Sequence, residues 1–326
     1  MLVSLLENIG FYTLSNKRAL AANINSPLWR CELILTDKCN FRCPYCRGLR
    51  DDIRGTMPYP KAIKILELWI SQGLKNVRFS GGEPTLYREL PELIQQARTG
   101  GVNRIAISTN GSAGISLYLR LIECGVDDFS ISLDACCSSV CNKMSGGSNC
   151  WDRIIENIRI LSSLTYVTVG MVFTEENIEQ CMESVRFAAS LGVADIRVIP
   201  SAQYNKALST LSELPDSFLV KYPILNYRIQ NIRNGCNVRG IPDGNCNHCR
   251  LVLDDMAVAG KYHFPCIIYM REGGNPIGEI GDGENLRKSR TEWSYHHPVW
   301  KDPICKKNCL DVCIDYNKIA NSVFKP

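Results

Sequence analysis

The chain has 326 residues, room for two ordinary domains or one large α/β barrel. Apolar residues make up 45% and charged residues 21%, which excludes a disordered chain, and a net charge of +4 is too small to argue for nucleic acid or an anionic membrane. Cysteine is the outlier, with 17 against only 4 histidines.

No basic segment opens the chain, and Glu7 interrupts the first apolar run, so a secretory signal is not expected. No stretch nears the roughly 20 apolar residues of a membrane span. A cytoplasmic, reducing location follows as the expectation, where thiols serve metals, catalysis or the core. With few histidines, a metal site would be rich in thiolate, which points to iron–sulfur or zinc.

Residues 1–29 carry no recognisable motif and read as an N-terminal extension. From residue 30 onward, short β-rich runs alternate with amphipathic helical runs. The first strand is predicted at Glu32–Leu35, and behind it comes Cys39-Asn-Phe-Arg-Cys43-Pro-Tyr45-Cys46. Three cysteines in one loop wrap a single compact centre. A [4Fe–4S] cluster takes four thiolates, so three leave one iron open for chemistry. Taken alone, the same spacing also suits zinc.

A helix is predicted at Lys61–Gln72, then a strand at Asn76–Ser80 that runs into Gly81-Gly82-Glu83-Pro84. A helix at Glu89–Arg98 precedes a strand at Arg104–Ser108, which is followed by Thr109-Asn110-Gly111. Ser116–Cys124 is the next helix, and the strand Asp128–Leu133 closes on Ser132-Leu133-Asp134. The helix Asp152–Leu161, strand Tyr166–Phe173, helix Ile178–Ser190 and strand Asp195–Ile199 complete the alternation. The strands are rich in Val, Ile and Phe, as strands covered on both faces are. The predicted fold is α/β, a partial (β/α)6 TIM-like barrel over 30–234, with its chemistry at the C-terminal strand ends.

These four motifs, each at the end of its predicted strand, resemble the radical S-adenosylmethionine (radical SAM) superfamily. The resemblance implies that Cys39, Cys43 and Cys46 bind a [4Fe–4S] cluster whose open iron chelates SAM. Reductive cleavage then gives a 5′-deoxyadenosyl radical that takes a hydrogen atom from substrate. Gly81, Gly82, Glu83 and Pro84 are implied as cofactor-binding, with Glu83 pairing the methionyl ammonium. Thr109, Asn110, Ser132 and Asp134 are implied as further polar contacts to SAM, and Tyr45 packs near the adenine. A flavodoxin or ferredoxin-type donor is the expected electron source.

After residue 235, Gly, Asn, Asp and Pro become frequent and elements are hard to assign. Cys246, Cys249, Cys266, Cys305, Cys309 and Cys313 fall in this loop-rich segment, 235–326, and read as metal ligands. Cys249, Gly260 and Cys266 resemble the auxiliary-cluster extensions called SPASM or twitch domains. Cys246, Cys249 and Cys266 are also similar in kind to the cyclase of molybdenum-cofactor biosynthesis. One auxiliary [4Fe–4S] cluster is expected, with two left open. Cys305, Cys309 and Cys313, spaced i, i+4, i+8, would share one helix face. His248 offers a zinc alternative, and His296-His297 reads as a polar loop.

Cys31, Cys124 and Cys181 sit in apolar patterns as buried thiols, while Cys136, Cys137, Cys141 and Cys150 read as surface-loop thiols. Cys236 is a candidate hydrogen-atom donor to a substrate radical. The main functional reading is hydrogen abstraction from a peptide or small molecule, assisted by the auxiliary cluster. The alternatives are modification of a nucleotide and a non-catalytic zinc-binding module.

Overall fold

The computed structural model describes residues 15–201, 205–281 and 283–324. Six parallel strands follow one another in sequence order: β1 (Arg30–Ile34), β2 (Asn76–Ser80), β3 (Arg104–Thr109), β4 (Asp128–Ser132), β5 (Tyr166–Phe173) and β6 (Asp195–Pro200). Helices Tyr59–Ser71, Leu90–Thr99, Ile115–Cys124, Trp151–Leu164 and Cys181–Ser190 lie between them. This is the six-fold α/β unit expected from periodicity, with boundaries moved by a few residues. The last helix is the exception, since its predicted first turn is the separate 3-10 turn Ile178–Gln180.

The strands are not apolar on both faces, as their composition suggested. They alternate with period two. Leu33, Val77, Phe79, Ile105, Ile107, Phe129, Ile131, Val169 and Val198 belong to one continuous core with the helices. The alternate positions, Glu32, Arg78, Ser108, Ser130, Gly170 and Arg197, are polar or small and face the other way. The sheet therefore has one apolar face, packed by the helices, and one polar face.

The C-terminal third continues the same sheet. β7 (Asp255–Ala259) pairs in parallel with β1, on the side opposite β2. β8 (Tyr262–Phe264) and β9 (Gly278–Glu279) follow antiparallel, so the sheet is open, with β6 at one edge and β9 at the other. The sequence left these strands unassigned because they are short and set among turn residues. The N-terminal helix Asn16–Leu20 packs on helix Asp311–Val323 through Ala19, Ala22, Tyr316 and Ala320. Arg18 donates Nε to Asp254 at 2.6 Å beneath it.

The single helix face expected for Cys305, Cys309 and Cys313 does not form. Helix Pro303–Asn308 ends at Cys309, whose ψ of 133° is extended, and a new helix starts at Asp311. No described helix is long and apolar enough to cross a membrane.

Candidate functional site

The first cavity, of about 220 Å³, opens at the C-terminal ends of β1 to β4. Cys39, Cys43 and Cys46 line it together with Tyr45, Gly81, Gly82, Thr109, Asn110, Ser132 and Asp134. Burial pushes the Cys43 thiol up to about 12 and raises that of Cys39. Thiols packed this way stay protonated alone and ionise when a cation offsets the cost. With Cys46, Cys39 and Cys43 place three thiols on one loop, which fits a [4Fe–4S] cluster that keeps one iron free of protein ligands.

The glycines have a reason other than close approach to a ligand. A Cβ on Gly82 would stand 2.3 Å from Lys38 O, and one on Gly81 would stand 2.4 Å from Thr36 O. The Gly81-Gly82 turn therefore lies flush against the root of the cysteine loop, where Glu83 N donates to Lys38 O at 2.8 Å. Glu83 and Pro84 are buried outside the cavity lining. The Glu83 carboxylate accepts from Thr85 N at 3.1 Å, Thr109 Oγ1 at 2.8 Å and Asn110 N at 2.7 Å. Its placement makes it an organiser of the β2 and β3 ends. Asn110 extends that order to the cysteine loop by donating to Asn40 Oδ1 at 2.8 Å. The Tyr45 hydroxyl donates to Asp134, so the ring is tied to the β4 end. Burial pushes the Asp134 carboxyl up to about 6.

A second cavity, of about 50 Å³, gathers Cys249, Cys266, Cys305, Cys309 and Cys313. The break between the two C-terminal helices is what brings the last three thiols to one space. Burial raises the Cys266 and Cys305 thiols and pushes Cys249 up to about 11. Among the described residues, the one trio of ligand atoms within 4.8 Å of each other is His297, Asp302 and Cys305. No three of the cavity's thiols lie within 4.8 Å of one another among the described residues. Asp302 is already engaged, since it caps Ile304 N at 2.9 Å and Cys305 N at 2.8 Å. His297 is more than a polar loop residue, for it stacks on Trp293 at 4.2 Å and bonds Asp302 at 3.1 Å.

Three further predicted residues fall outside these cavities. Cys246 is exposed and absent from the thiol-cavity lining, although Asn245 and Asn247 belong to it. Cys236 is exposed beyond helix Pro223–Arg233, where Gly235 turns the chain at a φ of 73°. Cys236 lines neither of the two cavities. His248 packs edge-on against Trp300 at 5.1 Å. Cys136 and Cys141 are buried rather than surface thiols, and Cys141 lines the first cavity. Cys31 and Cys181 are buried as expected, while Cys124 is half-buried.

Sequence reasoning missed the third cavity, of about 240 Å³. It touches the first through Ser108 and the second through Cys266 and Cys313. Its lining includes Arg30, Arg78, Arg197, Arg228 and Arg239 against two carboxylates, Glu32 and Asp255. Asp255 pairs with Arg30 at 2.6 Å and Asp311 pairs with Arg228 at 2.9 Å. Arg78 donates to Ser108 Oγ at 3.1 Å, and Arg239 to Pro200 O at 3.0 Å. Burial, and then the neighbouring Arg78, lowers Arg197 to about 10. The signal was present in the sequence: Arg78 and Arg197 are charges inside otherwise apolar stretches of their strands.

The profile of the Radical SAM superfamily matches residues 33–188. A probable GTP 3′,8-cyclase of Sulfurisphaera tokodaii is 30% identical over 241 residues, covering 68% of this chain and 77% of that protein. Its counterpart from Metallosphaera sedula is 30% identical over 191 residues, 57% of this chain and 60% of its own length. Among solved structures, anSMEcpe with bound AdoMet superposes with a TM-score of 0.64 at 15% identity, over 90% of this chain and 96% of that one. Streptococcus suis SuiB bound to precursor peptide SuiA gives 0.58 at 16% identity, over 93% and 73%. The structural matches speak for the shared partial-barrel fold. The Sulfurisphaera relative and the profile make the chain a member of the radical SAM superfamily, whose chemistry uses a [4Fe–4S] cluster and S-adenosylmethionine.

Proposed function

We propose that the chain abstracts a hydrogen atom from an anionic small molecule held between the SAM site and an auxiliary [4Fe–4S] cluster. The observation that carries this reading is the arginine-lined cavity between the cysteine loop and the five-thiol cavity. Five guanidiniums against two carboxylates leave a net positive lining that favours phosphate or carboxylate groups. A nucleotide is the form of this substrate that the relatives' names favour, since they are called GTP 3′,8-cyclases.

Cys39, Cys43 and Cys46 hold the radical-generating cluster, which with SAM supplies the hydrogen-abstracting radical when bound. Gly81, Gly82, Thr109, Asn110 and Ser132 shape the SAM pocket, and Glu83 fixes the ends of β2 and β3 around it. Four of the five thiols Cys249, Cys266, Cys305, Cys309 and Cys313 supply the ligands of one auxiliary cluster. A thiolate cage at the cavity wall suits transfer of an electron from the substrate radical. The arginines orient the substrate and exclude bulk water from the reacting carbon. In domain terms, 30–234 is the radical-generating unit and 235–326 the auxiliary-cluster unit, with 1–29 as an extension. A small acidic iron–sulfur or flavin protein is the electron donor.

The test is anaerobic purification followed by iron counting and a dithionite-dependent assay for 5′-deoxyadenosine. About 8 iron atoms per chain are expected for two [4Fe–4S] centres. Anions, nucleotides included, are expected to stimulate cleavage in the wild type and not in Arg78→Gln. A zinc-loaded protein that leaves SAM intact would overturn the proposal.

A further inference from the structure

Glu32 is a carboxylate in this cavity that its surroundings leave open. It stands on the polar face of β1, in register with Arg78 on β2 and Ala257 on β7. It is 7% exposed, and among the described residues no hydrogen bond or ion pair reaches its carboxylate. The other carboxylate of the lining is engaged: Arg30 grips both oxygens of Asp255 at 2.9 and 2.6 Å, and Met256 N donates at 2.9 Å. Arg78 does not close on Glu32 although it is the facing residue. It leans instead to Ser108 on the far strand.

Arg197 and Arg271 act on the Glu32 carboxylate through space, but a buried carboxylate with no hydrogen-bond donor is costly, and one beside an anion-binding site weakens the binding of any ligand that is only an anion. Both penalties vanish if the ligand brings its own positive charge or N–H donors to that spot. We propose that Glu32 recognises a cationic or N–H-donating group of the substrate, which is therefore a compact zwitterion whose anionic end goes to the arginines. This rests on the reading above that the cavity takes an anionic substrate. It narrows that class to molecules carrying an amine or amidine-type nitrogen near a phosphate or carboxylate.

The experiment uses the full chain with its iron reconstituted, and calorimetric titration with a matched pair of probes. Phosphoethanolamine and ethyl phosphate differ in the ammonium alone. The wild type is expected to bind phosphoethanolamine at least about fivefold tighter than ethyl phosphate. Glu32→Gln is expected to bind the two alike and to take ethyl phosphate more tightly than the wild type does. Glu32→Asp, which keeps the charge, should retain the preference, and Arg78→Gln should weaken both probes. Equal affinities in the wild type, with both weakened by Arg78→Gln, overturn the role of Glu32 and leave the arginine site standing. No binding of either probe to the wild type overturns the anionic-substrate reading and this inference with it.

Discussion

Gly82 shows how much of the site depends on a missing atom. Its Cβ position is occupied by carbonyls of the cysteine loop, Lys38 O at 2.3 Å and Asp37 O at 2.6 Å, which are backbone and cannot swing aside. Gly82→Ala is therefore expected to push the loop root outward and spread Cys39, Cys43 and Cys46. Iron content should fall by about 4 atoms per chain, and SAM cleavage should be lost with it. An alanine variant that keeps full iron and cleavage would contradict this packing. Glu83 acts by a different route. Its carboxylate takes hydrogen bonds from Thr85, Thr109 and Asn110 while burial raises its pKa. Glu83→Gln leaves donors facing a donor, at a cost of about 1–3 kcal/mol. Weaker SAM affinity with iron unchanged, measured by titration, is the expected result.

Among the elements, the break at Cys309 matters most. One continuous helix would hold Cys305, Cys309 and Cys313 in a line, whereas two helices meeting at Cys309 fold them around a space shared with Cys249 and Cys266. Replacing Cys305, Cys309 and Cys313 together by Ala leaves two of the five thiols and is expected to lower iron from about 8 to about 4 per chain. Cys246→Ala is expected to leave it unchanged, because Cys246 is exposed outside the lining. β8 supplies a pH-dependent element. His263 is 1% exposed and accepts from Arg290 Nη1 at 3.2 Å, and burial, aided by Arg290, lowers it from 6.5 to about 3. Between those values the unfolded chain binds a proton that the folded chain refuses. Stability therefore rises with pH across the window and is lost as pH falls below 6.5, by at most about 1.4 kcal/mol per pH unit. Thermal scans of wild type and His263→Gln from pH 5 to pH 7 should differ in slope in this direction, as reported by the melting temperature. Such details explain what the sequence made legible. The barrel strands and helices were readable because their apolar positions repeat with periods of two and 3.6. Arg78, Arg197 and Glu32 escaped notice because a charge in a strand acquires meaning only when neighbouring strands aim theirs at the same space. β7 to β9 escaped because their pairing with β1 is long-range and their runs are short.

At the scale of the molecule, three cavities touch in series, and the chain stitches the outer two together. Arg271, five residues after Cys266, donates to Gly48 O at 2.8 Å and to Gly81 O at 2.7 Å. One contact falls just behind the cysteine loop and the other on the glycine turn. Glu272 pairs with Arg47, and Arg50 donates to Gly274 O at 2.8 Å. The turn at 271–274 thus clamps the segment 47–50, so order in the five-thiol cage is transmitted to the loop carrying Cys46. Burial lowers the Arg271 pKa, but the guanidinium stays charged at neutral pH, and two carbonyl partners compensate its desolvation. Arg271→Ala removes both bonds and leaves the part-buried Gly48 and Gly81 carbonyls without their donor. Faster amide hydrogen exchange across residues 39–50 is expected, together with weaker SAM binding, while Arg271→Lys should recover part of each. Exchange in the variant that rises only around residues 267–274 would show that the clamp holds its own helix and not the cysteine loop.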